Sequence, residues 1–432
     1  MTSLPRALSP LRHPSYRLLA ASMALSLLAA GLWAVAVVWQ VVALRGGPAA
    51  LSLVTALGAG GMLASTLLGG ALADRTPQRR ILLATELVQG LTMAVVATLS
   101  LAGASSLGQL AAMSLVAGLA MGLYYPAYSA LVPALVPEGD LLAVNGLEGM
   151  VRPMLQNAAG PAVAGFLVAS ISPGAALAAT AAASLLAATC LWALPTTPVR
   201  RNLPADAEAA TGLLADVREG FVYMVRTPWL LGTLVFASLM LLVFIGPLEV
   251  LVPFAIKDAG GGPTQHAYVL AAFGIGGAVG SLVVASLRLP RRYLTVMNLL
   301  WGVGCVPLVV FGLATDLWVM IAAGAVMGAT FQAGMVIWGT LLQRRVPPAL
   351  LGRVSSLDFF VSISFMPLSM ALAGTVSQVI GLTATFLVGG LAPVALAVAA
   401  VVAARMPADE IAHPLDVVPP DVPRPQAELD RV

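Results

Sequence analysis

Two carboxylates stand inside long apolar runs of this sequence. Glu249 lies between Pro247 and Pro253, and Glu86 lies in a run that begins near residue 81. A carboxylate in hydrocarbon is costly unless it is paired, hydrated or protonated, and prolines free backbone carbonyls around it. We therefore expect both acids to bind a proton, and Glu249 also to accept a cationic ligand. The alternatives are an interfacial acid near Lys257 for Glu249 and a hydrated acid at the membrane edge for Glu86.

A second pair of acids is related by an internal repeat. Glu148 and Asp358 are separated by 210 residues, and the Val-Pro pair at 136–137 recurs at 346–347 with the same separation. Arg152 follows Glu148 by four residues, the spacing at which helical side chains meet. Arg152 is either a local partner of Glu148 or a charge that senses protonation. The alternative for Glu148 and Asp358 is that both are first-turn residues that complement their own helix dipoles.

Aromatic and amide side chains recur on several apolar runs. Apolar walls with a few polar groups are typical of sites for large amphipathic molecules. Helix packing and interfacial aromatic belts explain the same residue types equally well. The residues that we predict to line a cavity are Trp33, Gln40, Tyr124, Tyr128, Phe244, Gln332 and Trp338.

Composition requires a membrane setting for these residues. Of the 432 residues, 59% are hydrophobic and only 9% are charged, and the mean hydropathy is +0.94. A soluble domain has about 25% charged residues, so neither a water-soluble globule nor a disordered chain fits. We predict an all-α integral membrane protein with twelve spans. The spans lie near residues 18–44, 51–73, 81–102, 107–133, 147–171, 174–194, 230–256, 266–287, 293–314, 317–342, 356–379 and 381–403.

Basic residues predict the orientation of these spans. With the N-terminus inside, 19 of the 22 basic residues fall on the cytoplasmic side, while Arg45 and Lys257 fall outside and Arg152 lies within a span. Such an asymmetry is the positive-inside signal. Both termini are thus expected in the cytoplasm, in a bacterial inner membrane.

The repeat divides the chain into two six-helix halves with the same orientation. We predict an N-terminal half at 1–194, a linker at 195–229, a C-terminal half at 230–404 and a disordered tail at 405–432. The linker has apolar residues at helical spacing, which indicates an amphipathic helix on the inner membrane surface or a solvated linker helix. Parallel halves place a binding site between them.

Other function classes lack the residues they need. The sequence has two cysteines, both within spans, and three widely separated histidines, so it predicts no metal site, no disulfide framework and no catalytic residues. It also has no phosphate-binding loop of the G-x-x-x-x-G-K-[ST] type. An enzyme or a sensor is a remote alternative, and we expect no cofactor and no nucleic-acid partner.

The loop after the second span carries a known pattern. Residues 70–82 read GALADRTPQRRIL, which resembles the major facilitator superfamily signature G-x-L-A-D-R-x-G-R-K-x-x-L. Pro77 and Gln78 depart from it. The resemblance implies a conformational latch between the halves that is formed by Gly70, Asp74, Arg75, Arg79 and the acidic partner Asp358.

A narrower resemblance is to the drug and siderophore efflux branch of this superfamily, which contains the enterobactin exporter and macrolide-efflux proteins. The stretches at 130–145, 216–220 and 343–354 carry it. Gly160, Pro161 and Gly165 also resemble a shortened form of the superfamily's antiporter signature.

The resemblance implies a monomeric secondary transporter in the lipid bilayer. It is expected to export hydrophobic or amphipathic small molecules by proton antiport and alternating access, with Glu249, Glu86, Glu148 and Arg152 as coupling candidates. The alternative is a facilitator or importer of a dedicated metabolite with the same fold.

Overall fold

The computed structural model describes residues 10–73, 76–137, 140–195, 209–287 and 289–415, and these are almost entirely helical. The N-terminal half contains α1 (Pro14–Ala43), α2 (Pro48–Ala73), α3 (Gln78–Leu101), α4 (Leu107–Leu135), α5 (Leu141–Arg152), α6 (Gly160–Ser170) and α7 (Pro173–Ala193). The linker contains α8 (Ala209–Arg226). The C-terminal half contains α9 (Pro228–Gly246), α10 (Val252–Asp258), α11 (Pro263–Ser286), α12 (Tyr293–Gly304), α13 (Val310–Leu313), α14 (Leu317–Arg345), α15 (Pro348–Ser364), α16 (Met366–Ile380) and α17 (Leu382–Ala403), and α18 (Met406–Ala412) follows.

Local sequence explains where several helices begin. Proline stands in the first turn of α1, α7 and α9, where its missing N–H is not needed and its fixed φ favours the helix. Ser106 caps α4 in a capping box with Gln109, and the Asp316 carboxylate accepts from the backbone N–H of Trp318 at 2.8 Å at the start of α14. These caps satisfy amide groups that would otherwise lack partners.

Eleven helical runs among the described residues are long and apolar enough to cross a membrane. Their ends lie within a few residues of the spans expected from hydropathy, apart from the start of the eleventh span. The fifth expected span corresponds to a helical run over residues 141–170, in which a π-helical segment, Pro153–Ala159, separates α5 from α6. A second π-helical segment, Pro247–Leu251, joins α9 to α10.

Glycines set the closest helix contacts within each half. A Cβ on Gly118 of α4 would lie 2.0 Å from the carbonyl oxygen of Gly58 on α2. A Cβ on Gly328 of α14 would lie 1.9 Å from the carbonyl oxygen of Phe273 on α11. Gly118 and Gly328 are 210 residues apart, as are the two ends of α4 and α14. The two halves therefore share one packing plan in which backbones touch, as small residues allow in membranes.

The two halves contact each other at several places, two of which lie near one end of the bundle. We call the end that holds residues 44–47 the upper end and the opposite end the lower end. Near the upper end, the backbone N–H of Gly374 on α16 donates to the hydroxyl of Ser52 on α2 at 2.7 Å. On the other side of the bundle, Gly165 of α6 packs against Pro263 and Ala267 of α11. These two contacts join the halves at the upper end.

The linker helix α8 is docked on the C-terminal half. Glu219 pairs with Arg353 at the start of the eleventh span, Gly220 packs on Arg353 and Leu357, and Met224 is buried. Phe221 and Val225 of the same helix are exposed. The helix therefore packs on the protein along one side, and its placement on the inner membrane surface stays a prediction.

The start of the expected tail is also ordered. Glu410 of α18 is buried and its carboxylate accepts from the backbone N–H of Thr295 at 2.7 Å and from its hydroxyl at 3.1 Å. Arg345 pairs with Asp409 at 2.8 Å. The prediction of disorder is thus wrong for residues 406–412, because buried polar contacts compensate for the entropy of ordering them. Residues 416–432 lie outside the described part of the chain.

Candidate functional site

Three adjoining cavities lie in the bundle, and one acidic side chain lines each. The central chamber has a volume of about 390 Å³ and holds Glu249. The N-chamber, of about 80 Å³, holds Glu86, and the C-chamber, of about 290 Å³, holds Asp358. Gln156 lines both the N-chamber and the central chamber, and Met366 lines both the central chamber and the C-chamber. The three cavities therefore lie next to one another in a series.

The central chamber is lined by both halves of the protein. Glu249 projects into it from the second π-helical segment and is solvent-exposed there. Trp33 of α1 and Met370 of α16 are among the other residues of its wall. A π-helical turn adds a residue to a helix and is common at functional sites, and here it turns a carboxylate toward a cavity. The structure thus places Glu249 at the chamber between the halves.

The N-chamber surrounds a buried acid. Glu86 of α3 is 2% exposed, and its carboxylate accepts a hydrogen bond from the hydroxyl of Ser26 on α1. Tyr124 and Tyr128 of α4 stack in its wall with ring centroids 6.0 Å apart. The Tyr128 hydroxyl contacts the sulfur of Met23 at 3.0 Å. Both tyrosines therefore lie in the wall of a small cavity that has apolar as well as polar lining residues.

Arg152 supplies a positive charge in the wall of the N-chamber. Its guanidinium donates to the carboxylate of Glu148, one helical turn earlier, at 2.6 Å. The structure thus contains the local ion pair between Arg152 and Glu148, which was one of the two alternatives expected for Arg152. Because Arg152 also lines the N-chamber, this cavity contains a cation of its own.

The C-chamber is mostly apolar and aromatic. Trp338 of α14 donates from its indole N–H to the carboxylate of Asp358 on α15 at 3.0 Å. Trp301 of α12 lies with its ring centroid 6.3 Å from that of Trp338, and its own N–H donates to the backbone carbonyl of Phe331. Phe359 completes the wall and stacks on a tyrosine of the N-terminal half at 6.4 Å.

The residues of the predicted latch fall in separate places. The guanidinium of Arg79 donates to the backbone carbonyls of Leu191 and Trp192 at the end of α7, where a cation satisfies orphan carbonyls. Asp358 is bound to Trp338 in the C-chamber. Gly70 belongs to α2, and Asp74 and Arg75 lie outside the described residues. The latch stays a prediction, and the structure brings Arg79 and Asp358 to other partners.

Three predicted cavity residues do not line any of the chambers. Gln40 is 2% exposed and is hydrogen-bonded to Ser105 and Ser100. Phe244 is buried in the apolar core, and Gln332 packs on Gly277 between α14 and α11. These assignments are corrected, because in an apolar helix the side that faces a cavity has no compositional mark.

The glycines and proline of the antiporter-like motif serve helix contacts. Gly160 packs against the backbone of Gly31 on α1, and Pro161 lies beside the same glycine. Gly165 packs against α11 at the upper end. The motif therefore holds the fifth helical run against both halves, directly after the π-helical segment that carries Gln156.

Ser26, Gln156, Ser362 and Met366 line the chambers but were not singled out from the sequence. A usable signal is the repeat of 210 residues. It relates Arg152 to Ser362 and Gln156 to Met366, as well as Tyr128 to Trp338. Applied to the wall of one chamber, the repeat identifies much of the wall of the other.

The arrangement is suited to binding rather than to bond-breaking chemistry. Large apolar walls supply affinity and single carboxylates supply orientation and charge. Carboxylates within membrane spans are typical of proton and substrate pathways. The three chambers can accept an amphipathic molecule, a cationic group or a proton.

Comparison with known proteins agrees with this description. Residues 5–430 match the profile of the family described as transmembrane secretion effector. The multidrug efflux pump Tap of Mycolicibacterium fortuitum is 28% identical over 87% of this chain and 92% of its own length. The enterobactin exporter EntS of Escherichia coli is 25% identical over 84% of this chain and 85% of its own length.

Two further matches are a relative that aligns over part of its length and a solved structure with a similar fold. An uncharacterized MFS-type transporter of Sinorhizobium fredii is 32% identical over 62% of this chain, and the match spans 65% of that relative's length. A crystal structure of a variant of the nucleoside transporter NupG superposes with a TM-score of 0.72 at 14% identity, covering 89% of this chain and 99% of the other. The last match shows the fold alone.

Proposed function

Because this chain belongs to the transmembrane secretion effector family of major facilitator transporters, we propose that it exports hydrophobic or amphipathic small molecules across the bacterial inner membrane. The proposal extends to this chain the activities named for its relatives, a multidrug efflux pump and an enterobactin exporter. The finer elements of the proposal are proton antiport, alternating access and a cytoplasmic lower end.

One observation carries the proposal: an acid lines a cavity between the two halves, and the halves contact each other at the upper end. Glu249 lies in the central chamber with Trp33, Met93 and Met370 around it. The walls offer apolar contact, and the carboxylate offers the single polar anchor that orients an amphipathic ligand. Methionine side chains adapt to ligands of different shape, which suits a transporter of several compounds.

The contacts between the halves at the upper end support alternating access. The contacts of Ser52 with Gly374 and of Gly165 with α11 join the halves there. Rocking of one half against the other would break these contacts and open the central chamber to the upper side. The distribution of basic residues favours an extracytoplasmic upper end, so the described state would load substrate from the cytoplasm.

Glu249 would couple this motion to protons. Substrate and proton would compete for the same carboxylate, so that binding of one favours release of the other. In this scheme the proton enters from the upper side and the substrate leaves by the same route.

The test is accumulation of a panel of fluorescent dyes and antibiotics in a drug-hypersensitive host. Cells with the parent protein are expected to accumulate less compound than cells without it, and a protonophore is expected to abolish the difference. Glu249→Gln should accumulate compound as empty cells do. Asp258→Asn is the matched control, because it neutralises an exposed acid at the end of the same helical run and should retain export.

Equal accumulation with parent and empty cells, with the protein present in the membrane, would contradict export of these compounds. Export that persists with the protonophore and with Glu249→Gln would contradict proton coupling and favour facilitated transport.

A further inference from the structure

The C-chamber and the N-chamber occupy equivalent places in the two halves. The repeat of 210 residues relates Tyr128 to Trp338 and Arg152 to Ser362, and all four line their chambers. One residue of α4 or α14 and one residue of α5 or α15 thus line each cavity at equivalent positions. The chambers are structural counterparts, and differences between them mark a difference in use.

The decisive difference is a missing cation. In the N-terminal half, Glu148 is neutralised by Arg152 one turn later. Its counterpart Asp358 has the uncharged Ser362 one turn later. None of the ion pairs found among the described residues involves Asp358. Within the described part of the chain, a carboxylate without a cationic partner therefore faces a cavity of about 290 Å³.

The walls of this cavity are suited to a cation. Trp338 and Trp301 are each 5% exposed, and their rings lie at 58° to each other. Phe331 and Phe359 add two further rings. The faces of aromatic rings attract cations, with tryptophan the strongest. The indole N–H of Trp338 holds the carboxylate in place and leaves its remaining lone pairs for a ligand.

We propose that the C-chamber is a binding subsite for the positively charged group of amphipathic organic cations, with Asp358 as counter-charge and Trp338 and Trp301 as the aromatic wall. Met366 is shared with the central chamber, so the apolar remainder of such a ligand would extend toward Glu249. The inference deepens the export proposed above by naming a substrate class, and it rests on that proposal only for transport, not for binding.

The test is equilibrium dialysis of the purified full-length protein in detergent. The probes are radiolabelled tetraphenylphosphonium, a permanent monocation, and triphenylphosphine oxide, a neutral molecule with similar rings. We expect Asp358→Asn to weaken binding of the cation about tenfold, since a counter-charge at a partly desolvated site is lost. Binding of the neutral probe should change by less than about twofold, because the apolar walls are unaltered.

Three further variants separate charge from structure. Asparagine keeps an oxygen to accept from Trp338, so the site retains its shape, and Asp358→Glu should restore binding of the cation. Trp338→Phe should weaken binding of the cation about threefold, since a smaller ring with no N–H remains. Asp258→Asn, which lies outside the chambers, should bind as the parent does.

The proposal is overturned if the parent does not bind tetraphenylphosphonium, if Asp358→Asn binds it as tightly as the parent, or if both probes are lost equally and Asp358→Glu restores neither. Loss of cation binding in Glu249→Gln alone would place the charge in the central chamber and also overturn it. Failure of the export proposal is a separate result: normal binding in detergent with no change of accumulation in cells.

Discussion

The N-chamber and the C-chamber differ in charge, size and wall although the same repeat builds both. The N-chamber, of about 80 Å³, contains a buried acid, three tyrosines and the guanidinium of Arg152. The C-chamber, of about 290 Å³, contains tryptophans, methionines and Asp358, with Ser362 in the position of the arginine. One half thus carries an internal ion pair where the other leaves a carboxylate facing a cavity.

This difference shows how a duplicated scaffold can divide its work. The glycine contacts that set helix spacing are retained in both halves at Gly118 and Gly328. The side chains that project from the same helices into the cavities have changed in charge and volume. We infer that backbone packing constrains the halves to one architecture, while the chambers are free to take a structural role in one half and a ligand-binding role in the other.

The largest expected effect tests whether the scaffolds are equivalent. Gly118→Leu and Gly328→Leu should each abolish recovery of folded protein, because any Cβ would overlap a backbone carbonyl at about 2 Å. Monodispersity on size-exclusion chromatography is the measurement. Gly108→Leu and Gly339→Leu are matched controls on the same two helices with open space at the Cβ position, and they should purify normally. Tolerance of leucine in only one half would show that the scaffolds differ.

The next effect compares the support of the two acids. Ser26→Ala should lower the free energy of unfolding by about 1–3 kcal/mol, because the buried Glu86 carboxylate loses the hydrogen bond that the Ser26 hydroxyl donates. Ser362→Ala should cost less than about 1 kcal/mol, since Asp358 retains the indole N–H of Trp338. Thermal unfolding in detergent measures both. The contrast between the chambers fails if the two alanine variants are equally destabilised.

A substitution can convert the C-chamber into a copy of the N-chamber. Ser362→Arg should place a guanidinium one turn after Asp358, as Arg152 stands after Glu148, and fill the cation subsite internally. Affinity for tetraphenylphosphonium should fall about tenfold, which corresponds to about 1.4 kcal/mol. Ser362→Gln is the control of similar length without charge. An arginine variant that binds the cation as well as the glutamine variant does would contradict the comparison.

The smallest effect concerns the ion pair of the N-terminal half. Glu148→Gln should lower stability by less than about 1 kcal/mol, because Arg152 is 40% exposed and solvent screens the pair. Affinity for tetraphenylphosphonium should not change, since the C-chamber is untouched. Thermal unfolding and dialysis of the same preparation check both statements. Loss of cation binding in this variant would place the ligand in the N-terminal half and contradict the assignment to the C-chamber.

Much of the architecture could be predicted from hydropathy and the repeat. The tenth span was expected at 317–342 and the helix runs over Leu317–Arg345. Hydropathy could not show the π-helical segment within the fifth run, because it depends on where backbone hydrogen bonds shift around Pro153. The docking of α8 and α18 also depends on surfaces contributed by distant helices.

The site was less accessible to sequence reasoning. Trp33, Tyr124, Tyr128 and Trp338 line chambers, whereas Gln40 lies in a hydrogen-bonded core position. In a soluble helix the polar stripe shows which face is exposed, but a helix in lipid is apolar all round. Neither residue type nor spacing could therefore tell a cavity wall from a helix contact.

The sequence by itself determined the membrane setting, the helical fold and the two parallel halves, because uninterrupted apolar runs in lipid must satisfy their backbone hydrogen bonds internally. Only the tertiary structure decided which acid faces which cavity. Glu148 and Asp358 are equivalent along the chain, and it is the side chain one turn later and the rings from other helices that leave Asp358 facing an open cavity. Such surroundings arise from residues hundreds of positions apart, and they exist only once the helices have packed.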